Sequence, residues 1–423
     1  MEKRAMARAT AARAGTLVAM RARNVVAVAI FPLLVGYTSG CSSAPSAAPP
    51  PAPAASVPVV EPCARDASSG APSPAAFADA PDVQLARAIA DRYMAVHPPA
   101  SASWDWGDGT LMASLMALRK VTGGEAYRDY VQAWIDARIA SGYTINTSDH
   151  CPPALSALAL YTETCDPRYQ AVVDRVTTFL NVEALRTPEG GISHFGTSSL
   201  FGATLWIDSL FMFGEVAIRR GAAWGDAGAL DLYGAQYRIF ASVLQDDGGF
   251  FRHAYDWPGA QDPGVFWARG NGWVLASGAD YLHARSARGE SDDVVRASYQ
   301  RLASAVVDAQ DPATGRFWTI VNARAQGETY LETSATALFA LGLARGYKDG
   351  LVDASARPSI VHAMDGVRAQ ITKDADGRPV VTGISGPTDV GTRADYAAVP
   401  LESDVSYGVG AVILALIEVA DLP

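Results

Sequence analysis

The sequence predicts an all-α fold: six helical hairpins closed into an (α/α)6 barrel. Three observations predict it. Twelve helical segments lie between about residue 84 and residue 419. Their character alternates between amphipathic and apolar throughout, which suits an outer and an inner ring. The connections alternate as well, usually short after an even segment and long after an odd one. Two separate helical domains are the alternative, but the regular spacing and the lack of an internal linker favour one ring.

The chain ahead of the first helix reads as leader and tether. Basic residues up to Arg23 precede an apolar run, Val25 to Val35, and then Gly36-Tyr37-Thr38-Ser39-Gly40-Cys41. The run is too short for a comfortable membrane span and has the layout of an export signal. The residues before Cys41 resemble a bacterial lipoprotein cleavage box, with Thr38 where that box usually carries Leu. The expectation is a signal peptide at 1–40, a lipid on Cys41, and an exported protein anchored in the cell envelope. Simple secretion, with cleavage nearby, is the alternative. Residues 41–80 are rich in Ala, Pro and Ser, a composition that builds no core, and are expected to be a tether to a domain spanning 81–423. Among the remaining cysteines, a Cys151–Cys165 bridge and free thiols are both open, and no Cys/His spacing of a zinc site is present.

Charge narrows the partners. The formal net charge is -10 and the pI is near 5.1. Six of the 34 Lys and Arg and one of the 44 Asp and Glu lie in the first forty residues, which leaves 28 basic against 43 acidic groups. Such a surface argues against nucleic acid as a partner. An acidic ligand would have to be held by local cations.

The helices are expected at 84–97, 108–121, 125–140, 152–163, 168–184, 205–220, 228–245, 271–285, 293–309, 333–346, 358–371 and 404–419. In the third, Tyr127, Val131 and Trp134 recur at helical spacing; in the ninth, Val295, Tyr299, Leu302, Val306 and Ala309 do. The even segments differ: Ser334 to Ala344 and Ser406 to Ile417 hold no charge. Short connections are Thr122-Gly123-Gly124 and Cys165-Asp166-Pro167, and long ones span 185–204, 246–270, 310–332 and 372–403. Three long loops place a glycine turn before a short apolar or aromatic run, at Gly190–Phe195, Gly248–His253 and Gly315–Val321, and are expected to form small rim hairpins.

The long-loop face should carry the site, because there the inner helices begin with Trp104-Asp105-Trp106, Asp149-His150, Trp206-Ile207-Asp208, Trp267-Ala268-Arg269-Gly270-Asn271-Gly272-Trp273, Glu332-Thr333-Ser334 and Glu402-Ser403-Asp404. Helix capping suffices to explain Thr333, Asp404 and Asp149. Asp208 is the one ionisable residue near the start of an otherwise apolar helix. Either it caps that helix or it is an acid tuned by burial. Indoles beside carboxylates and a guanidinium equip a sugar site.

The runs WARGNGW at 267–273, ETSATALFALGLARG at 332–346 and LWIDSLFM at 205–212, with the Asp149-His150 turn, resemble the unsaturated glycuronyl hydrolases. The similarity is to glycoside hydrolase family 105, the unsaturated rhamnogalacturonyl hydrolases, with family 88 its relative, and it covers about 84–423. The resemblance implies an (α/α)6 barrel. It implies Asp208 as the acid/base residue, Asp149 as a second catalytic aspartate, and His194, His253, Trp267, Arg269, Trp273 and Trp106 as the substrate pocket. It also implies removal of a 4,5-unsaturated uronic acid from the non-reducing end of lyase-generated oligosaccharides, rhamnogalacturonan being the family's default, with no metal or organic cofactor. A glycosidase on saturated sugars, a lyase or epimerase, and a non-catalytic surface glycan-binding lipoprotein are the alternatives.

Overall fold

A computed structural model describes residues 73–322 and 329–422. The leader, Cys41, Cys63 and most of the tether lie outside the described residues. No described helix is long and apolar enough to cross a membrane. The fold reaches back into the expected tether: Ala75 donates its amide to Val121 O, and Ala78 is buried.

All twelve helices form: α1 Pro81–Val96, α2 Trp106–Thr122, α3 Glu125–Ser141, α4 Pro153–Thr164, α5 Pro167–Thr178, α6 Gly214–Trp224, α7 Ala227–Leu244, α8 Ala268–Ala287, α9 Asp293–Ala309, α10 Thr333–Lys348, α11 Arg357–Arg368 and α12 Ser406–Val419. The even helices pack in sequence order, α2 on α4, α4 on α6, and so on to α12, which returns to α2 and closes the ring. Each odd helix lies outside the ring. Composition explains the split. From Thr333 to Ala344 every residue of α10 is buried, whereas α9 buries one stripe that includes Val295, Tyr299, Leu302 and Val306. Glycines set the closest approach: a Cβ on Gly342 of α10 would lie 2.7 Å from Leu275 Cγ and 2.9 Å from the Leu275 carbonyl carbon of α8.

The structure departs from expectation at helix starts and rim strands. The sixth segment does not begin as a helix at 205. Leu205–Trp206 (β1) pairs with Ala254–Tyr255 (β2), a single helical turn follows at Ser209–Met212, and the chain bends at Phe213 before α6. Phe317–Trp318 (β3) likewise pairs with Leu331–Glu332 (β4). The other rim pairs are Ile371–Lys373 (β5) with Pro379–Val381 (β6) and Ile384–Ser385 (β7) with Leu401–Glu402 (β8). Only single bridges, Arg186 to Ile192 and Gln245 to Phe251, mark the other two glycine turns. Side-by-side loops satisfy one another's backbone groups, so pairing runs between loops as well as within them.

The capping expectations fail in a consistent way. Glu332, not Thr333, caps α10, accepting from Ser334 N and Ala335 N. Asp404 adopts a left-handed backbone (φ 61°) and pairs with Arg92 instead of capping α12. Asp149 lies in a one-turn 3-10 helix, Ser148–His150, that has no side-chain cap. Cys151 is a buried free thiol and Cys165 is disulfide-bonded, so these two do not pair.

Candidate active site

The starts of α4 and α6 bring Asp149, His194 and Asp208 together. One polar atom from each lies within 4.8 Å of the other two. His194 Nε2 is 3.7 Å from Asp149 Oδ2, and His194 Nδ1 is 4.0 Å from Asp208 Oδ1. The Ser148 and Ser209 hydroxyls lie 2.9 and 3.0 Å from His194 Nδ1 and 3.1 Å from each other. A serine donating to Nδ1 leaves the ring proton on Nε2, facing Asp149. Burial lowers the pKa of His194, keeping it neutral.

Asp208 is not a cap. Its side chain makes no bond to the following turn, and its Oδ1 is buried without a hydrogen-bond partner. Burial pushes its pKa up to about 6; the neighbouring His194 opposes the rise and the charge of Asp149 adds to it. Burial also raises Asp149, to about 7, with the charge of Asp105 contributing. Asp149 keeps 32% of its side-chain surface exposed, against 12% for Asp208, so Asp149 is the more open to solvent of the two. Two carboxyls that hold protons near neutrality, with an imidazole beside them, can deliver and retrieve a proton.

A ladder of planar groups stands beside this trio. Trp106 stacks on Tyr407 (4.4 Å), the Arg269 guanidinium lies over the rings of Tyr407 (4.8 Å) and Trp267 (4.9 Å), and Trp267 stacks on His253 (4.3 Å). His253 Nδ1 bonds the Tyr396 hydroxyl at 2.7 Å, while its Nε2 is buried with no partner. Burial lowers the pKa of His253 well below the usual imidazole value. Trp206 stacks on His194 at 4.4 Å and meets the His253 ring edge-on at 5.1 Å. The two halves of the site are therefore in contact.

The WARGNGW run separates into distinct tasks, two of which correct the expectation. Arg269 is 1% exposed and its fork is occupied: Nη1 donates to Ser385 O (2.8 Å), and Nη2 to Gly386 O (2.9 Å) and Thr388 Oγ1 (3.2 Å). Its two terminal nitrogens strap the loop after β7 rather than facing a ligand, and only Nε, buried, is left without a partner. Trp273 is fully buried, stacks on Phe211 (4.3 Å) and belongs to the barrel core. The rest of the run is scaffold. A Cβ on Gly270 would lie 2.6 Å from Ile207 Cδ1, and one on Gly272 2.7 Å from Leu338 Cβ. Asn271 accepts from Phe251 N (2.8 Å) and donates to Phe251 O and Trp267 O (2.9 Å each), which fixes the strand that carries His253.

Asp149, Asp208, His194, His253, Trp267 and Trp106 are thus placed around one region as expected. Trp206 belongs to one of the runs expected on the site face, whereas Tyr396, Tyr407 and the serines 148 and 209 were not anticipated. Tyr396 lies on a short helix, Arg393–Ala398, whose capping box (Thr392 with Asp395) was the available signal.

Comparison with known proteins agrees with the fold. A family model described as Glycosyl Hydrolase Family 88 matches residues 84–422. A curated relative, the unsaturated rhamnogalacturonyl hydrolase YesR of Bacillus subtilis, is 27% identical over 326 residues, 76% of this chain and 90% of that protein. A solved structure from Klebsiella pneumoniae, described as a possible member of the GH105 family, superposes with a TM-score of 0.70 at 22% identity, covering 80% of this chain and 93% of its own. The unsaturated glucuronyl hydrolase of Bacillus sp. GL1 gives a TM-score of 0.63 at 16% identity, covering 79% and 95%. These structures share the (α/α)6 architecture built above. The chain belongs to glycosyl hydrolase family 88.

Proposed function

We propose that this protein hydrolyses the unsaturated uronic acid from the non-reducing end of lyase-generated oligosaccharides, with Asp208 as the proton donor. One observation carries the reading: a buried carboxyl that neither caps a helix nor pairs with a cation, held protonated to about pH 6 beside a second raised carboxyl. The relative YesR, an unsaturated rhamnogalacturonyl hydrolase, supports the substrate class.

The substrate is an enol ether, because C5 of the C4=C5 bond carries the ring oxygen. Asp208 protonates C4, and positive charge spreads over C5 and the ring oxygen. Asp208, now a carboxylate, accepts a proton from the water that adds to C5, and Asp149 orients that water. The hemiketal opens and the glycosidic link falls apart without direct attack. With the Arg269 terminal nitrogens committed to their loop, the sugar carboxylate falls to the two buried donors left without partners, His253 Nε2 and Arg269 Nε. The carboxyl pair lies within 4.8 Å, well short of the roughly 6.5–9.5 Å by which inverting glycosidases separate theirs. That spacing disfavours an inverting glycosidase on saturated sugars. Export and a lipid on Cys41 remain part of the proposal on the sequence of the leader alone, and incorporation of labelled lipid lost in Cys41→Ala tests it.

Asp208→Asn is expected to fold and to lose about 10²- to 10⁴-fold in kcat. Loss of the enol ether's ultraviolet absorbance follows the reaction. A variant at wild-type rate, or a wild type active only on saturated oligomers, overturns the proposal.

A further inference from the structure

We propose that Ser148 and Ser209 are positioning residues: together they fix the tautomer of His194, and through it they decide which of the two carboxyls keeps the proton. This rests on the hydrolase reading above.

Each serine is the chain neighbour of one carboxyl, Ser148 of Asp149 and Ser209 of Asp208. Ser148 opens the one-turn 3-10 helix that carries Asp149, and Ser209 opens the helical turn that follows Asp208. His194 arrives from the loop at 185–204 and is clamped between them. Its carbonyl accepts from Ser148 N at 2.9 Å, its amide donates to Thr204 O at 2.9 Å, and its ring stacks on Trp206. Both serines and the histidine are buried.

A count of protons fixes the tautomer. Ser148 Oγ, Ser209 Oγ and His194 Nδ1 form a triangle with sides of 2.9, 3.0 and 3.1 Å, and among the described residues neither hydroxyl has another hydrogen-bond partner. With Nδ1 bare, one serine donates to the nitrogen and the other to the nitrogen or to the first serine's oxygen, so every proton is used. With Nδ1 protonated, the triangle holds three protons and only two acceptors. One hydroxyl proton is then stranded, and a buried donor without an acceptor is costly.

The tautomer divides the carboxyls. Nε2 carries the proton and faces Asp149 Oδ2 at 3.7 Å, whereas the bare Nδ1 lies 4.0 Å from Asp208 Oδ1. A donor favours the charged form of the carboxyl it faces, and a lone pair favours the protonated form. The greater exposure of Asp149 acts in the same sense. One proton shared by the pair therefore settles on Asp208, the acid, and leaves Asp149 ionised toward the water. The other titratable or charged groups close enough to act on the trio are Asp389, His253, Tyr396 and Arg269. None of them hydrogen-bonds His194 Nδ1, so the tautomer is left to the serines.

The test removes the hydroxyls singly and together. In Ser148→Ala or Ser209→Ala the remaining hydroxyl still donates to Nδ1, and kcat is expected to stay within about threefold of wild type. In the double variant Nδ1 has no donor and takes the ring proton, and the shared proton passes from Asp208 to Asp149. There kcat is expected to fall about 10²-fold or more with KM little changed. Two independent packing losses would multiply to only about tenfold. Ring ¹⁵N spectra of wild type, with His194 assigned through its loss in His194→Gln, give a reading apart from activity: the proton is expected on Nε2, with Nδ1 bare. A wild-type His194 protonated on Nδ1, a single variant as slow as the double, or a double variant that melts as wild type and stays within about tenfold in kcat, overturns the proposal and leaves the hydrolase intact. A wild type that consumes no unsaturated oligomer overturns the hydrolase, whatever the tautomer.

Discussion

The inner ring carries two clusters of buried acids, and they are built on opposite plans. At the N-terminal ends of the inner helices, Asp208 and Asp149 face an imidazole and no cation in hydrogen-bond contact. Away from that trio, Glu215 in the first turn of α6 lines a cavity of about 260 Å³ to which all six inner helices contribute. Glu215 follows Asp208 by seven residues, roughly 10 Å along a helix. Burial and the charge of Asp280 push the pKa of Glu215 up, as burial does for Asp208. Yet Glu215 sits in an ionic net. Arg219 Nε reaches it at 3.2 Å, Arg219 and Arg345 both grip Asp280 (2.6 and 2.7 Å), and Arg345 holds Glu418 (3.2 Å). A raised carboxyl therefore marks the structural cluster as well as the reactive one. A perturbed pKa finds a reactive group only when no cation shares its charge and a substrate can reach it.

Exchanging the two acids for their amides gives the largest contrast. Asp208→Asn is expected to lower kcat about 10²- to 10⁴-fold. Glu215→Gln, equally buried and raised in the same direction, is expected to leave kcat within about threefold, because it touches no substrate. Equal losses in both variants would show that the lower cluster takes part in catalysis.

Arg269 sharpens the comparison from the other side, since it is a buried cation held by carbonyls. Arg269→Ala removes one donor from Ser385 O, which keeps the Tyr407 hydroxyl, and one from Gly386 O, which keeps the Thr388 hydroxyl, and it opens the ladder between Trp267 and Tyr407. A stability loss of about 2–4 kcal/mol is expected, read by denaturant melting. Were Arg269 instead to grip the substrate, the variant would melt as wild type and show only a raised KM.

How much of this the sequence discloses follows from the range of the forces involved. The ring was legible because helix periodicity and loop length are local signals, and Asp208 because a lone acid in an apolar run is a local anomaly. Arg269 and Trp273 were misplaced for the same reason. In the chain they belong to one seven-residue motif, but their partners are Ser385, Gly386 and Tyr407 for one and Phe211 for the other, contacts that only closure of the ring creates. Tyr396 was missed because it approaches His253 across 143 residues.

Titration separates the clusters more gently. The reactive form of Asp208 is protonated, so kcat/KM is expected to fall by about tenfold per pH unit on the alkaline side, with an apparent pKa between about 6 and 7 that belongs to the Asp208–Asp149 pair. Stability follows the same sign. A carboxyl raised from 3.8 to about 6 costs nothing below pH 4, and its penalty grows until pH 6 and then holds. Asp208→Asn removes that penalty. It is expected to be about 3 kcal/mol more stable than wild type at pH 8 and equal to it at pH 4. A variant less stable than wild type at pH 8 would show that the carboxylate is welcomed by the fold.

The smallest expected effect comes from chelation. Asp149, His194 and Asp208 are the one set of three possible ligands among the described residues close enough to share an ion. A divalent cation there would invert the local logic, holding both carboxyls ionised at every working pH. Asp208 could then not donate a proton, and the alkaline limb would vanish. If the acid is Asp208 itself, prolonged treatment with EDTA should leave both rate and pH profile unchanged. A loss of rate that a divalent cation restores, together with a flattened profile, would replace acid catalysis by Asp208 with a metal-bound water at the same position.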